Sequence, residues 1–172
     1  RGDEENVMKR VILAAEMAEA DIVVETTADC PILDPKIVQR SIDIFKVSSC
    51  DYVSNIMPAT YPDGMAIQVF GLETLRKSYG LTKDRLDLEH VSLHMRNNPN
   101  LFSQVNFTAP PNMYWPGLGL TLDEKLDFDL IDIIIEEFGF TDELFGCEQV
   151  VGYLKSKPSL IVNNSVLRKG NS

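Results

Sequence analysis

Two aspartates stand where a carboxylate could meet a ligand. Asp29 follows the β-branched run Ile22-Val23-Val24 and the polar Thr26-Thr27, and Pro31 and Pro35 prevent a strand from continuing beyond it. Such a run has the composition of a strand buried on both faces of a parallel sheet, and open α/β sheets bind ligands beyond the carboxyl ends of their strands. Asp123 repeats the arrangement. The run Leu118 to Leu122 precedes it, and an apolar helical pattern containing Leu126, Leu130, Ile131, Ile134 and Phe138 follows. Each aspartate also has a plainer reading, Asp29 as a turn residue at Cys30-Pro31 and Asp123 as a helix N-cap. Residue type and spacing leave both readings open.

Three other groups invite chemistry and carry less of it. His90 and His94 are four apart on one helical pattern, but no third ligand with recognised spacing accompanies them, so packing beside Val91 is the simpler role. Asp127-x-Asp129 lies inside a helical pattern, where positions i and i+2 point apart, which suits solvated charges. Cys30 has no histidine pattern to activate it and reads as a small buried thiol.

The elements that must position these residues follow from periodicity. An amphipathic helix is predicted over 4–20, a strand over 22–27, and a helix from Pro35 to near Ser49 with Asp34 as its N-cap. That order argues for a parallel sheet with crossover helices. A short strand over 51–55, a turn at Tyr61-Pro62-Asp63-Gly64 and an alternating run from Met65 to Phe70 come next, the last with Ala66, Gln68 and Phe70 on one face. Helices are expected over 72–79, capped by Gly80, and over 84–98, with Leu88, Val91 and Met95 as the buried stripe. Residues 101–115 read as an irregular arm, 118–122 as a strand returning to the sheet, 124–138 and 147–155 as helices, and 163–172 as a polar tail.

Length and composition set the class. A chain of 172 residues suits one domain with its own core, and 44% hydrophobic with 24% charged residues is ordinary for a globular protein. No apolar run reaches the ~20 residues that span a bilayer, so no membrane partner is expected. With 16 basic against 26 acidic residues and a net charge of -10, general nucleic-acid binding is not expected either. Cys30, Cys50 and Cys147 form no C-x-x-C pair, which fits reduced thiols and a cytoplasmic location. The opening Arg1-Gly2-Asp3 lacks an initiator Met and runs straight into a helical pattern, as if cut from a longer chain.

An ordered set of short motifs resembles the acylneuraminate and CMP-KDO cytidylyltransferase family, in particular its spore-coat polysaccharide (SpsF-like) branch. The motifs are Arg1-Gly-Asp-Glu-Glu-Asn-Val-Met-Lys-Arg10, Ala28-Asp-Cys-Pro-Ile-Leu-Asp-Pro35, Asp51-Tyr-Val-Ser-Asn55, Tyr61-Pro-Asp-Gly64, Glu89-His-Val91, Arg96-Asn-Asn-Pro99, Leu120-Thr-Leu-Asp123 and a closing Asn-Ser-x-x-Arg at 164–168. The resemblance implies an α/β, three-layer nucleotide-diphospho-sugar transferase-like fold, with a mainly parallel sheet and helices on both faces. It implies a single partial domain over 1–172, with a dimerisation arm around 84–117 and a homodimer as the assembly.

The implied reaction joins CMP from CTP to a sugar acid, with release of pyrophosphate, for surface-polysaccharide synthesis. Asp29 and Asp123 match the family's catalytic carboxylates that hold Mg²⁺, and Asn55, Tyr61, Asp63, Gln68 and His90 fall in its substrate-binding regions. The family's opening CTP-binding segment is expected to precede this chain. Charged family positions correspond to Glu25, Ala59, Ala66, Gln68, Leu88 and Gly119 here. Small apolar residues cannot replace bidentate guanidinium partners, so a different substrate or a catalytically inactive binding module is the alternative reading.

Overall fold

The computed structural model describes residues 2–139 and 144–161. The expected motif near 164–168 lies outside them. In chain order the elements are α1 (Val7–Met17), β1 (Ile22–Glu25), α2 (Pro35–Ser48), β2 (Tyr52–Ser54), β3 (Gln68–Gly71), α3 (Leu72–Leu81), α4 (Arg85–Glu89), α5 (Leu93–Asn97), β4 (Gln104–Asn106), α6 (Lys125–Phe138) and α7 (Cys147–Ser156), with a 3₁₀ turn over Pro158–Ile161. They group into two compact units, one of 1–25, 40–54 and 68–106, the other of 26–39, 55–67 and 107–172.

The first unit is built on a four-stranded sheet in the order β1-β3-β2-β4. β1, β2 and β4 run in one direction, as the crossover through α2 requires, but β3 runs the other way between β1 and β2. The α/β class therefore holds, while the expectation of a mainly parallel sheet is corrected. Two of the three ladders are antiparallel, because the chain returns from β2 and threads the alternating 68–71 run into the gap. One row across the sheet is Val24, Val69, Val53 and Val105, and the next is Glu25, Gln68, Ser54 and Asn106. Cross-strand partners share a face and successive rows alternate faces. Met8, Ile12, Tyr52, Phe70, Leu75, Met95 and Phe102 form the core of this unit.

Two predicted helices of this unit change. The 84–98 segment is two short helices, because the chain breaks at Val91, where φ is 25°. His90 and His94 therefore do not share one helix. α3 runs through Gly80 to Leu81 and ends at Thr82, whose N–H bonds the Ser78 carbonyl at 3.2 Å. A side chain at Gly80 would meet nothing within 4 Å, so no left-handed cap is needed there.

The second unit has no multi-strand ladder among its described residues. Its buried apolar groups include Ile32, Ile37, Met65, Ile67, Leu120, Ile134, Val151 and Leu154. Asp34 opens α2 as predicted, accepting from the Lys36 N–H at 2.7 Å. Its other oxygen accepts from the Cys147 N–H at 2.8 Å, so one buried carboxylate serves the first turns of α2 and α7. The run 118–122 pairs Gly119 with Asp63 in an isolated bridge, bends at Thr121 and joins no sheet among the described residues. The predicted returning strand is thereby corrected.

Candidate functional site

The second unit assembles the site around that run. The Asp63 N–H bonds the Leu118 carbonyl at 2.9 Å, the Leu120 N–H bonds the Asp63 carbonyl at 2.8 Å, and the Leu122 N–H bonds the Asp29 carbonyl at 2.8 Å. The first two bonds flank the Asp63–Gly119 bridge, and the chain bends at Thr121 before Leu122 reaches Asp29. Asp63 and Asp29 thus bond successive parts of this stretch, and Asp123 follows it. The segments that bear the two aspartates are joined by a backbone bond between loops, not by two strand ends.

Local geometry sets each carboxylate. Asp29 sits in the turn closed by the Cys30 N–H on the Thr27 carbonyl at 3.3 Å, and its Oδ1 accepts weakly from the Cys30 thiol at 3.7 Å. Burial, opposed by the Thr27 hydroxyl, and the nearby charges of Asp29 and Asp63 hold the Cys30 thiol above its ordinary range. A thiol held protonated is a poor nucleophile, in keeping with the inert reading. Asp123 is exposed, and its Oδ2 accepts from the Thr121 hydroxyl at 2.7 Å.

Asp123 is not the N-cap of α6. That place belongs to Glu124, while the buried Asp127 accepts from the Asp123 and Glu124 N–H groups at 3.1 and 3.0 Å. Asp129 pairs with Lys125 on the exposed face of α6. Thr121 stood in the Leu120-Thr-Leu-Asp123 motif without a role of its own, and Asp127, expected as a solvated charge, is instead buried and holds the backbone of Asp123. Their signals were present as Thr-x-Asp and as the capping spacing Glu124-x-x-Asp127.

Asn55, Tyr61 and Asp63 line one cavity of about 250 Å³, together with Ala59, Ala66 and Pro116. Asn55 holds its wall in shape: Nδ2 donates to the Met65 carbonyl at 2.7 Å, and Oδ1 accepts from the Ile67 N–H at 2.8 Å. The turn in that wall closes one residue later than predicted, from the Pro62 carbonyl to the Met65 N–H at 3.1 Å, with Gly64 at φ 98°. At Gly64 a Cβ would stand 2.6 Å from the Leu120 carbonyl oxygen, so only glycine lets the turn lie against the 118–122 run.

The remaining predicted site residues lie in the first unit. Gln68 is in the polar row of the sheet, where its Oε1 accepts from the Tyr52 hydroxyl at 2.7 Å and the Ser92 hydroxyl at 2.6 Å. Its row partner Glu25 has an Oε2 that is buried without a hydrogen-bond partner among the described residues. Burial pushes the Glu25 carboxyl up, against the Ser92 hydrogen bond and the Arg96 charge. Burial likewise pushes the Tyr52 phenol up to about 12. His90 caps α4 in an exposed position, whereas His94 is buried, with Nδ1 3.0 Å from the Ser78 hydroxyl and its ring edge-on to Phe102. The two histidines thus lie on opposite sides of the break at Val91, one exposed and one buried.

Among the described residues no three His, Cys, Asp or Glu side chains converge as a metal cage. Asp29 and Asp123 are hard oxygen donors on adjoining segments, the donor set for an ion that takes one or two carboxylates and completes its shell with phosphate oxygens and water. That description fits Mg²⁺ and not a structural zinc site.

The fold has a close counterpart. A cytidylyltransferase from Leptospira borgpetersenii serovar Hardjo-bovis superposes with a TM-score of 0.85 at 27% identity, over 95% of this chain and 68% of that one. The chain is also 27% identical over 171 residues to an uncharacterised protein of Methanocaldococcus jannaschii, covering 98% of this chain and 68% of that protein. With the spore coat polysaccharide biosynthesis protein SpsF of Bacillus subtilis it shares 24% identity over 156 residues, 87% of this chain and 62% of that one. No protein-family model matches. The architecture is an α/β cytidylyltransferase fold, and the chain spans roughly two thirds of the length of these relatives.

Proposed function

We propose that this chain carries the metal- and acceptor-binding part of a cytidylyltransferase that transfers CMP from CTP to a sugar hydroxyl in surface-polysaccharide synthesis. The observation that carries the reading is the Leu122–Asp29 backbone bond, which brings the two matching aspartates onto adjoining segments. Support comes from the likeness to a cytidylyltransferase structure and, more distantly, to SpsF. In this reading Asp29 and Asp123 hold Mg²⁺, which supplies positive charge to phosphoryl oxygens as they gain negative charge.

The chain's own contribution is positioning. The Thr121 hydroxyl fixes the orientation of the Asp123 carboxylate, and Asp127 pins the backbone that bears it. The cavity beside Asp63 lies along the same run and receives the acceptor. Holding donor and acceptor in line lowers the entropic part of the barrier without a dedicated base.

The test is pyrophosphate release from CTP by the full-length protein, its expected CTP-binding segment included, in the presence of Mg²⁺ and a panel of sugars and sugar acids, the acid being the acceptor that the resemblance implies. We expect Mg²⁺-dependent release that Asp29→Asn abolishes. Neither release nor Mg²⁺-dependent CTP binding would leave the inactive binding module as the better account.

A further inference from the structure

The polar row of the sheet meets a cation. Glu25, Ser54 and Asn106 are the last residues of the three strands that run in one direction, and Gln68 is the first of the strand that opposes them. The row therefore lies along the carboxyl edge of the sheet, the edge beyond which open α/β sheets bind ligands. α5 packs against it. The Ser92 hydroxyl, just before that helix, donates to the Gln68 Oε1 at 2.6 Å, and the Gln104 amide on β4 donates to the Met95 and Arg96 carbonyls at 2.8 and 3.1 Å. Arg96 follows Ser92 by four residues, and its N–H bonds the Ser92 carbonyl at 3.0 Å, which puts both side chains on one face of the turn. The Arg96 charge accordingly acts on Glu25 and on Tyr52.

Two groups of this cluster keep donors to spare. The half-buried Arg96 guanidinium makes no ion pair or hydrogen bond among the described residues. Gln68, whose oxygen takes the Tyr52 and Ser92 hydroxyls, makes none there through its amide nitrogen. Burial weighs against the charged form of Glu25, so the nearest carboxyl is a poor internal partner for Arg96. A guanidinium presents its donors in a planar fork, which matches the two oxygens of a carboxylate. A dianionic phosphate would sit beside Glu25 and in the field of a chain of net charge -10, which disfavours its second charge.

We propose that the carboxyl edge of the sheet unit, at Arg96 and Gln68, binds the carboxylate of a small hydroxylated acid. The exposed Asn106, in the same row, adds an amide for the hydroxyl groups of that ligand. The site requires nothing of the metal-binding aspartates, so it stands or falls separately from the cytidylyltransferase reading.

The test is a set of saturation-transfer NMR titrations of the full-length protein with glucuronate, its uncharged methyl ester and glucose 6-phosphate, without CTP or metal. Glucuronate binds more tightly than the ester by roughly fivefold or more, the size of one charge contact near 4 Å in water, and more tightly than the phosphate. Arg96→Gln brings the ratio of acid to ester towards one, whereas Arg96→Lys, which keeps the charge without the fork, retains part of it. Arg85→Gln, which removes an exposed cation on α4, leaves the ratio unchanged.

Equal binding of acid and ester overturns the proposal, as do saturation of neither, a preference that survives Arg96→Gln or falls equally with Arg85→Gln, and tighter binding of the phosphate. The pyrophosphate assay separates the two readings. An Arg96-dependent preference for the acid in a protein that releases no pyrophosphate supports this inference and removes the enzyme. Pyrophosphate release without that preference keeps the enzyme and removes this inference.

Discussion

The two compact units solve the same problem in opposite ways. In the sheet unit, backbone groups are satisfied by ladders, and side chains fall into rows: four valines on one face, then Glu25, Gln68, Ser54 and Asn106 on the other. The second unit has extended and turning backbone without a ladder, and single polar side chains do the holding. Asp34 serves two helix starts, Asn55 bridges its own wall, and Asp127 captures two amides. A ladder spreads its stability over many weak contributions, whereas a clasp concentrates it in one residue. The candidate site lies in the clasped unit, where a few side chains can fix a carboxylate's orientation without a strand end to carry it.

The difference is sharpest at Asp34. Asp34→Ala leaves two helix-start N–H groups without their charged acceptor, and a loss of about 3 kcal/mol is expected by chemical denaturation. Val53→Ala, at the centre of the valine row and fully buried, removes two methyl groups from a packed surface and should cost about 2 kcal/mol. If Val53→Ala proves the more damaging of the two, the contrast between ladder and clasp fails.

The smallest effect belongs to Glu25, whose carboxyl is raised above its ordinary 4.5, first by burial. A raised carboxyl binds its proton more tightly folded than unfolded. Its contribution is therefore full below about pH 4 and is lost as pH climbs from there through the raised folded value. Glu25→Gln should flatten that part of the profile of melting temperature against pH and make the variant the more stable one at neutral pH. A profile identical to that of the unaltered chain would mean that Glu25 is solvated in the folded state.

Legibility followed the range of the interactions. The start of α2 at Asp34-Pro35, the helices over 125–138 and 147–156, and the alternation before Phe70 were readable, because capping and periodicity act within a few residues. The strand Gln68–Gly71 alternates equally well in a parallel or an antiparallel place, so its reversal between β1 and β2 could not be read. The break at Val91 was hidden because Leu88, Val91 and Met95 keep helical spacing across it.

At the site, the pair Asp29 and Asp123 was legible as two similar local patterns. Their meeting was not, since the Leu122–Asp29 bond and the Asp34–Cys147 bond join residues far apart in sequence. Asp123 shows how a strong local rule misleads. It precedes a helix as an N-cap does, yet Glu124 takes that place and leaves Asp123 exposed beside Thr121.

The central claim is that Asp29 and Asp123 grip one divalent ion between them. Manganese, which takes the same oxygen donors as magnesium and is visible by electron paramagnetic resonance, tests this on the chain itself with and without CTP. The account predicts one bound Mn²⁺ per chain, displaced by excess Mg²⁺ and weakened about tenfold or more by Asp29→Asn and by Asp123→Asn separately. Binding that survives either substitution unchanged, or no binding with CTP present, would contradict it.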